Sequence, residues 1–106
     1  MFLLDGFDVP GWFALHDNYP NPFNNRTSLE IDIPDLQGGE QMIAVHVYDI
    51  AGKKVRDLFE GKLPPGRYQL SWNGKNNYGH DMASGLYILS MQASDFAAFK
   101  KMILLR

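Results

Sequence analysis

His80, Asp81 and Ser84 fall in one short stretch and carry the groups of a base, an orienting carboxylate and a nucleophile. A working triad needs each group on a separate rigid support. These three share a single loop, so acyl transfer is not expected of them. Glu30 and Asp32 share one face of an alternating segment and would stand about 6–7 Å apart on a strand, a separation that suits paired carboxylates. An exposed polar strand face explains the pair better. The histidines, at 16, 46 and 80, show no ligand spacing such as H-x-x-x-H, and His46, set among apolar residues, is expected to pack within its strand. The Asp and Asn residues between 73 and 81 lack the D-x-D-x-D-G order of a calcium loop. With no cysteine there is no thiolate nucleophile, cysteine metal site or disulfide. These patterns predict no catalytic residue, no metal ligand set and no cofactor; the chain reads as a non-enzyme.

What remains is a scaffold. The 106 residues suit one domain, and a chain of that length buries about 60–70% of the surface it exposes when unfolded. Net charge is −2 and the basic clusters, Lys53-Lys54 and Lys100-Lys101, are short. A nucleic-acid partner, which requires a basic face, is not expected. No stretch approaches the ~20 apolar residues of a membrane-spanning helix. Met1-Phe2-Leu3-Leu4 is shorter than the roughly 7–15 apolar residues of a signal-peptide core. If the protein is exported, its signal lies elsewhere and this chain is a piece of something longer.

The elements are organised around Trp72–Tyr87, WNGKNNYGHDMASGLY. Trp72 closes the alternating run Tyr68–Trp72, Asn73-Gly74 breaks it with residues that tolerate positive φ, and Ser84-Gly85 marks re-entry. Alternation with turn signals predicts seven strands. They cover Phe13–His16, Thr27–Ile33, Met42–Ile50, Lys53–Phe59, Tyr68–Trp72, Leu86–Ala93 and Phe96–Leu105. Between the first two, Asp17–Asn25 forms a rigid corner in which Pro20 and Pro22 fix φ and remove donors, with Tyr19 and Phe23 placed to plug the core. Ala51-Gly52 reads as a hairpin turn, Gln37–Glu40 as a loop and Leu63–Gly66 as a hard corner. Residues 1–12, broken by Gly6, Pro10 and Gly11, read as a linker remnant, leaving 13–106 as the domain. The fold class is all-β, an antiparallel β-sandwich of immunoglobulin-like type.

Five segments occur in a telling order: NYPNPFN at Asn18–Asn24, VYDIAGKKV at Val47–Val55, LPPGRYQLSWNGKN at Leu63–Asn76, ASGLYIL at Ala83–Leu89 and KKMILLR at Lys100–Arg106. Together they resemble the C-terminal sorting domain of proteins exported by the bacterial type IX secretion system. The pattern is also similar to the immunoglobulin-like domain of the flagellar hook-capping protein. The resemblance covers about residues 13–106. Asn25-Arg26 depart from the usual proline followed by Ser or Thr, and Asn73-Gly74 from Asp-Gly, but both keep turn chemistry. The resemblance implies a folded address label behind an attached cargo. Such a label crosses the periplasm, is read by an outer-membrane translocon and is cut by a surface sortase, leaving the cargo at the cell surface or secreted. Its recognition residues here would be Pro20, Asn21, Pro22 and Phe23, then Gly52 and Lys53, then Gly85 and Tyr87, and the tail with Lys100, Lys101 and Arg106.

Other readings stay open. The proline corner serves the fold as an aromatic-plugged turn whether or not a receptor touches it. A terminal strand exposes an edge unless covered, and an edge can add a foreign strand or a second copy. An interaction module of the hook-capping or adhesive kind is one alternative. A carbohydrate-binding module is another, but of its candidate platform, Trp12, Trp72, Tyr78 and Tyr87, the core needs Trp72 and Tyr87.

Overall fold

The computed structural model describes residues 2–5 in backbone and residues 9–36 and 38–106 in full. Eight strands are present among them: β1 (Phe2–Asp5), β2 (Ala14–Leu15), β3 (Thr27–Ile33), β4 (Gln41–Asp49), β5 (Lys54–Leu63), β6 (Gly66–Trp72), β7 (Gly85–Ala93) and β8 (Phe96–Leu104). They form two four-stranded antiparallel sheets, ordered β1-β6-β3-β2 and β5-β4-β7-β8. The sandwich expected from the alternation is the fold observed.

Alternation and register together make the core. In the first sheet Leu29 faces Leu70 and Ile31 faces Tyr68; in the second, Val45 faces Met91 and Val47 faces Leu89. Residues two apart share a face, so these pairs put one apolar surface on each sheet and the two surfaces close on each other. Trp72 lies between Phe23 and Tyr87, with ring centroids 5.5 and 5.2 Å away, and is 1% exposed. Its indole N–H donates to the carbonyl of Lys75 at 2.9 Å. Tyr68 and Tyr87 each bury the ring and donate the hydroxyl to the carbonyl four residues upstream, of Pro64 at 2.8 Å and Ala83 at 2.7 Å. Burial raises the pKa of both phenols above the ordinary value.

The structure departs from the expected elements at several points. Phe2–Asp5 pairs with β6, Leu3 opposite Tyr68, where sequence gave no regular element. Four residues are too few to show a period, and the strand is specified by the free edge of β6. The linker reading of residues 1–12 also falls on residues 1 and 6–8, outside the described residues, as does Gln37 of the 37–40 loop. Tyr19 does not plug the core; it is 81% exposed while Phe23 is buried. Asp32 is not on an exposed polar face. It is buried, 2.9 Å from His16 Nε2 and 3.6 Å from Arg67 Nε, whereas Glu30 stays exposed. Finally, β5 runs on past Phe59 to Leu63 and is irregular. Val45 faces Phe59 but His46 faces Asp57, so Leu58 has no partner, and Val55 is skipped in the same way. These bulges let both Leu58 and Phe59 pack against the core, which strict alternation would forbid.

Replacing Trp72 with alanine removes the ring that both sheets pack on. It is expected to cost about 3–5 kcal/mol, a large share of the roughly 5–15 kcal/mol typical of a domain. Urea unfolding followed by far-ultraviolet circular dichroism measures the loss.

Candidate functional site

Four of the five motif segments reach one pole of the sandwich, and the fifth, Leu63–Asn76, runs to it along β6 from the opposite end. At that first pole β4 ends and β5 begins, β6 ends and β7 begins, β3 starts and β8 finishes. Three loops and the tail meet at this pole.

The proline corner is the first. Asn18, buried, donates to Thr27 Oγ1 at 2.9 Å, and that hydroxyl donates to the Pro20 carbonyl at 2.8 Å. Tyr19 and Ser28 exchange both backbone bonds, and the peptide bonds before Pro20 and Pro22 are both cis. Thus pinned, the chain runs along the outer edge of β8. The Phe23 amide donates to the Ile103 carbonyl at 2.9 Å, and the Leu105 amide donates to the Phe23 carbonyl at 2.8 Å. Asn21 does with its side chain what a strand does with its backbone. Its Oδ1 accepts from the Ile103 amide at 2.9 Å and its Nδ2 donates to the Lys101 carbonyl at 3.2 Å. The β8 edge, expected to be a template for strand addition unless covered, is therefore covered from Lys101 to Leu105. Ala97 and Phe99, of the same strand parity, aim their backbone groups at the stretch of edge beyond that cover.

The 73–84 loop is the second part. Asn73 Oδ1 accepts from the Lys75 amide, and Asn76 Oδ1 accepts from the amides of Tyr78 and His80. These side chains close the turn that their types announce. The loop lies along the opposite edge of the same sheet. The Asn77 amide donates to the Val55 carbonyl, and Asn77 Oδ1 accepts from the Asp57 amide at 2.9 Å. Asn77 on β5 thus repeats the role of Asn21 on β8.

Arg106 ties the tail to this loop. Nε donates to the Met82 carbonyl at 2.7 Å, Nη2 to the Gly74 carbonyl at 2.8 Å, and the backbone amide to Ser84 Oγ at 2.8 Å. The approach is close enough that a Cβ on Gly74 would stand 2.7 Å from Nη2, and Gly74 has φ +73°; only glycine fits there without strain. Lys75 Nζ lies 2.8 Å from Asp81 Oδ1, and Arg106 Nη2 lies 3.5 Å from it. Lys75 first, then Arg106, holds the Asp81 carboxyl below the ordinary carboxylate range.

The hairpin is the third part. Asp49 Oδ1 accepts from the amides of Ala51 and Lys53, with Gly52 at φ +85°. Between hairpin and loop lies a cleft of about 390 Å³, lined by Lys53, Lys54, Asn76, Asn77 and Tyr78 among others.

The structure thus brings Pro20–Phe23, Gly85, Lys101 and Arg106 to one seam around the end of β8, where Gly85 pairs with Leu104. Lys100 reaches out to Asp17 at 3.3 Å. Gly52 and Lys53 stand apart, at the cleft, and Tyr87 is interior. His80, Asp81 and Ser84 are not aligned with one another: His80 neighbours the Tyr78 ring, Asp81 pairs with Lys75, and Ser84 accepts from Arg106. His46 is not packed among apolar residues either; it faces Asp57 and Glu60 on the outer face of the second sheet. Sequence reasoning passed over Asn77 as a strand mimic. Its only local mark is an asparagine in a turn, and its partner lies twenty residues away.

The sequence matches the family model of the FlgD Ig-like domain over residues 23–96. This chain belongs to that family. The match begins at Phe23, inside the corner, spans the hairpin and the loop and stops at Phe96, so Asn18–Pro22 and the tail Lys100–Arg106 lie outside it. No curated protein matches the sequence. Among solved structures, the chain is similar to dimeric latent PorU from Porphyromonas gingivalis, with 20% identity, 92% of this chain and 10% of that one covered, and a TM-score of 0.70. It is also similar to PorZ, an essential surface component of the type-IX secretion system of the same organism, with 21% identity, 89% and 11% covered, and a TM-score of 0.51. The chain spans about a tenth of each of these proteins. At such identities the likeness is one of fold.

Two outcomes follow from the geometry. Asn21→Ala removes the cap on the β8 edge and is expected to cost about 1 kcal/mol, with faster hydrogen exchange at the Ile103 amide measured by NMR. Asp81 is ionised and paired above the ordinary carboxylate value near 3.8. Because its folded pKa is depressed, the stability it adds is present above that value and is lost as pH falls through the lower folded one. Carbon-13 NMR of the carboxyl in Lys75→Gln should show the titration move back up.

Proposed function

We propose that this FlgD Ig-like domain is a non-catalytic sorting domain of the type IX kind, directing an attached cargo protein across the bacterial outer membrane to the cell surface. The observation that carries the reading is the convergence of corner, loop and tail on one seam. Three of the segments that resemble a sorting domain, far apart in sequence, meet there: the corner at Pro20–Phe23, the re-entry at Gly85 and the tail at Lys101–Arg106. Asn21 and Phe23 occupy the backbone edge at Lys101–Leu105. A translocon would therefore read side chains there, with Lys101 and the exposed ring of Tyr19 facing outward and Lys100, half-buried, paired with Asp17. The likeness in fold to PorZ, itself a component of that secretion system, supports the same reading. The partners would be the translocon and the sortase, and the route periplasm first, then cell surface or medium.

A second reading has its own observation. The family model matched is named for a flagellar protein's domain, which favours a structural interaction module with no address function.

One experiment separates the two. The whole chain, residues 1–106, is fused behind a folded periplasmic reporter in a type IX host, which keeps β1 on β6. Surface display of the reporter, lost in the Lys100→Glu, Lys101→Glu double variant whose melting temperature is unchanged, is the expected result. A reporter that stays in the periplasm with the fusion intact and folded leaves the structural module as the function.

A further inference from the structure

The bulge at Leu58 has a chemical effect on the outside of the sheet. In a regular strand Asp57 and Glu60, three apart, would point to opposite faces. With Leu58 unpaired, Asp57 sits opposite His46 and Glu60 opposite Ala44, so both carboxylates emerge on the outer face beside the imidazole. His46 Nε2 lies 3.2 Å from Asp57 Oδ1 and 3.3 Å from Glu60 Oε2. All three atoms lie within 4.8 Å of one another.

The two distances from Nε2 are the right size for a shared ion. A tetrahedral site with bonds of about 2.0–2.1 Å to nitrogen and oxygen has edges of about 3.3 Å. His46 Nε2 is shut off from solvent and has no hydrogen-bond partner, an unusual state for a ring nitrogen facing two carboxylates. The ring is held from behind: Nδ1 lies 3.3 Å from the Tyr48 hydroxyl, the outer-shell contact that fixes the tautomer of a ligating histidine. Asp57 is held too, its Oδ2 accepting from Asn77 Nδ2 at 3.1 Å. Glu60, whose side chain is 55% exposed, leaves the solvent side open for water as a fourth ligand. Lys54 Nζ, 2.9 Å from Asp57 Oδ1, puts a positive charge on one flank, and its side chain is 42% exposed.

We infer that His46, Asp57 and Glu60 form a binding site for one divalent transition cation, with Nε2, Oδ1 and Oε2 as the ligands and Lys54 as the competitor it displaces. One imidazole and two carboxylates form a borderline set, better matched to zinc-like ions than to calcium, which takes six to eight oxygens. The site is independent of the proposed sorting role and stands on β4 and β5, with β7 between it and the β8 edge that meets the corner.

The test is isothermal titration of the chain with zinc chloride alone, alongside thermal melting. One ion per chain with a raised melting temperature is expected. His46→Ala should abolish binding and Glu60→Gln should weaken it. Tyr48→Phe should weaken it about tenfold, and Lys54→Met should tighten it severalfold. Calcium should give no heat, and His16→Ala and His80→Ala should bind like the parent. Nitrogen-15 NMR should place the metal on Nε2 of His46. Absence of heat at millimolar zinc overturns the inference, as does binding that survives His46→Ala or disappears with His16→Ala or His80→Ala. If His46→Ala fails to fold, Glu60→Gln, at an exposed position, decides in its place: unchanged affinity there overturns the assignment.

Discussion

A buried indole N–H must find an acceptor, and the pole of this sandwich is built on how Trp72 finds one. Its acceptor is the Lys75 carbonyl, which obliges the chain to turn at once after β6. That turn presents the Gly74 carbonyl to Arg106. Arg106 in turn fixes the end of β8, whose backbone bonds to Phe23, and the Phe23 ring packs back on Trp72. The circuit closes on itself. Each member is positioned by the one before, so the aromatic core and the surface seam are two sides of one arrangement.

Outer strands face a second constraint, because unpaired backbone groups invite foreign strands. Here both outer strands of the second sheet are met by asparagine. Asn21 on β8 and Asn77 on β5 each use an amide side chain as a short piece of strand, one bonded to Ile103 and Lys101, the other to Asp57. This gives the turn-rich motifs a physical reason to exist apart from any receptor. It also decides what a partner could touch: side chains along the seam, in place of a bare edge.

The layers, the strand positions after residue 13 and the burial of Trp72 and Tyr87 were legible because period-two alternation and turn residues are local properties. Three things were not. The strand at Phe2–Asp5 is specified by the neighbour that it pairs with. The burial of Asp32 depends on His16 and Arg67, which pairing brings to it. Above all, one residue of slippage at Leu58 reverses the facing of everything around it, and nothing in LFE marks a bulge. The grouping of His46 with Asp57 and Glu60 was hidden by that slip, since carboxylates three apart on a regular strand face opposite ways. The recognition segments were visible as motifs, but their convergence on one seam needed the fold.

The contact between Asn21 and Ile103 joins positions 82 residues apart. Synthesis runs from the N-terminus, and long-range β pairing is slow even in a complete chain. The corner therefore leaves the ribosome long before its docking partner exists. Until residues 101–105 have been made, Phe23 has no backbone to bind, Trp72 lacks a clamped neighbour and β7 is itself an unprotected border. Until then the domain is a half-closed sheet, open to holding by a chaperone, and it closes once residues 101–105 are present.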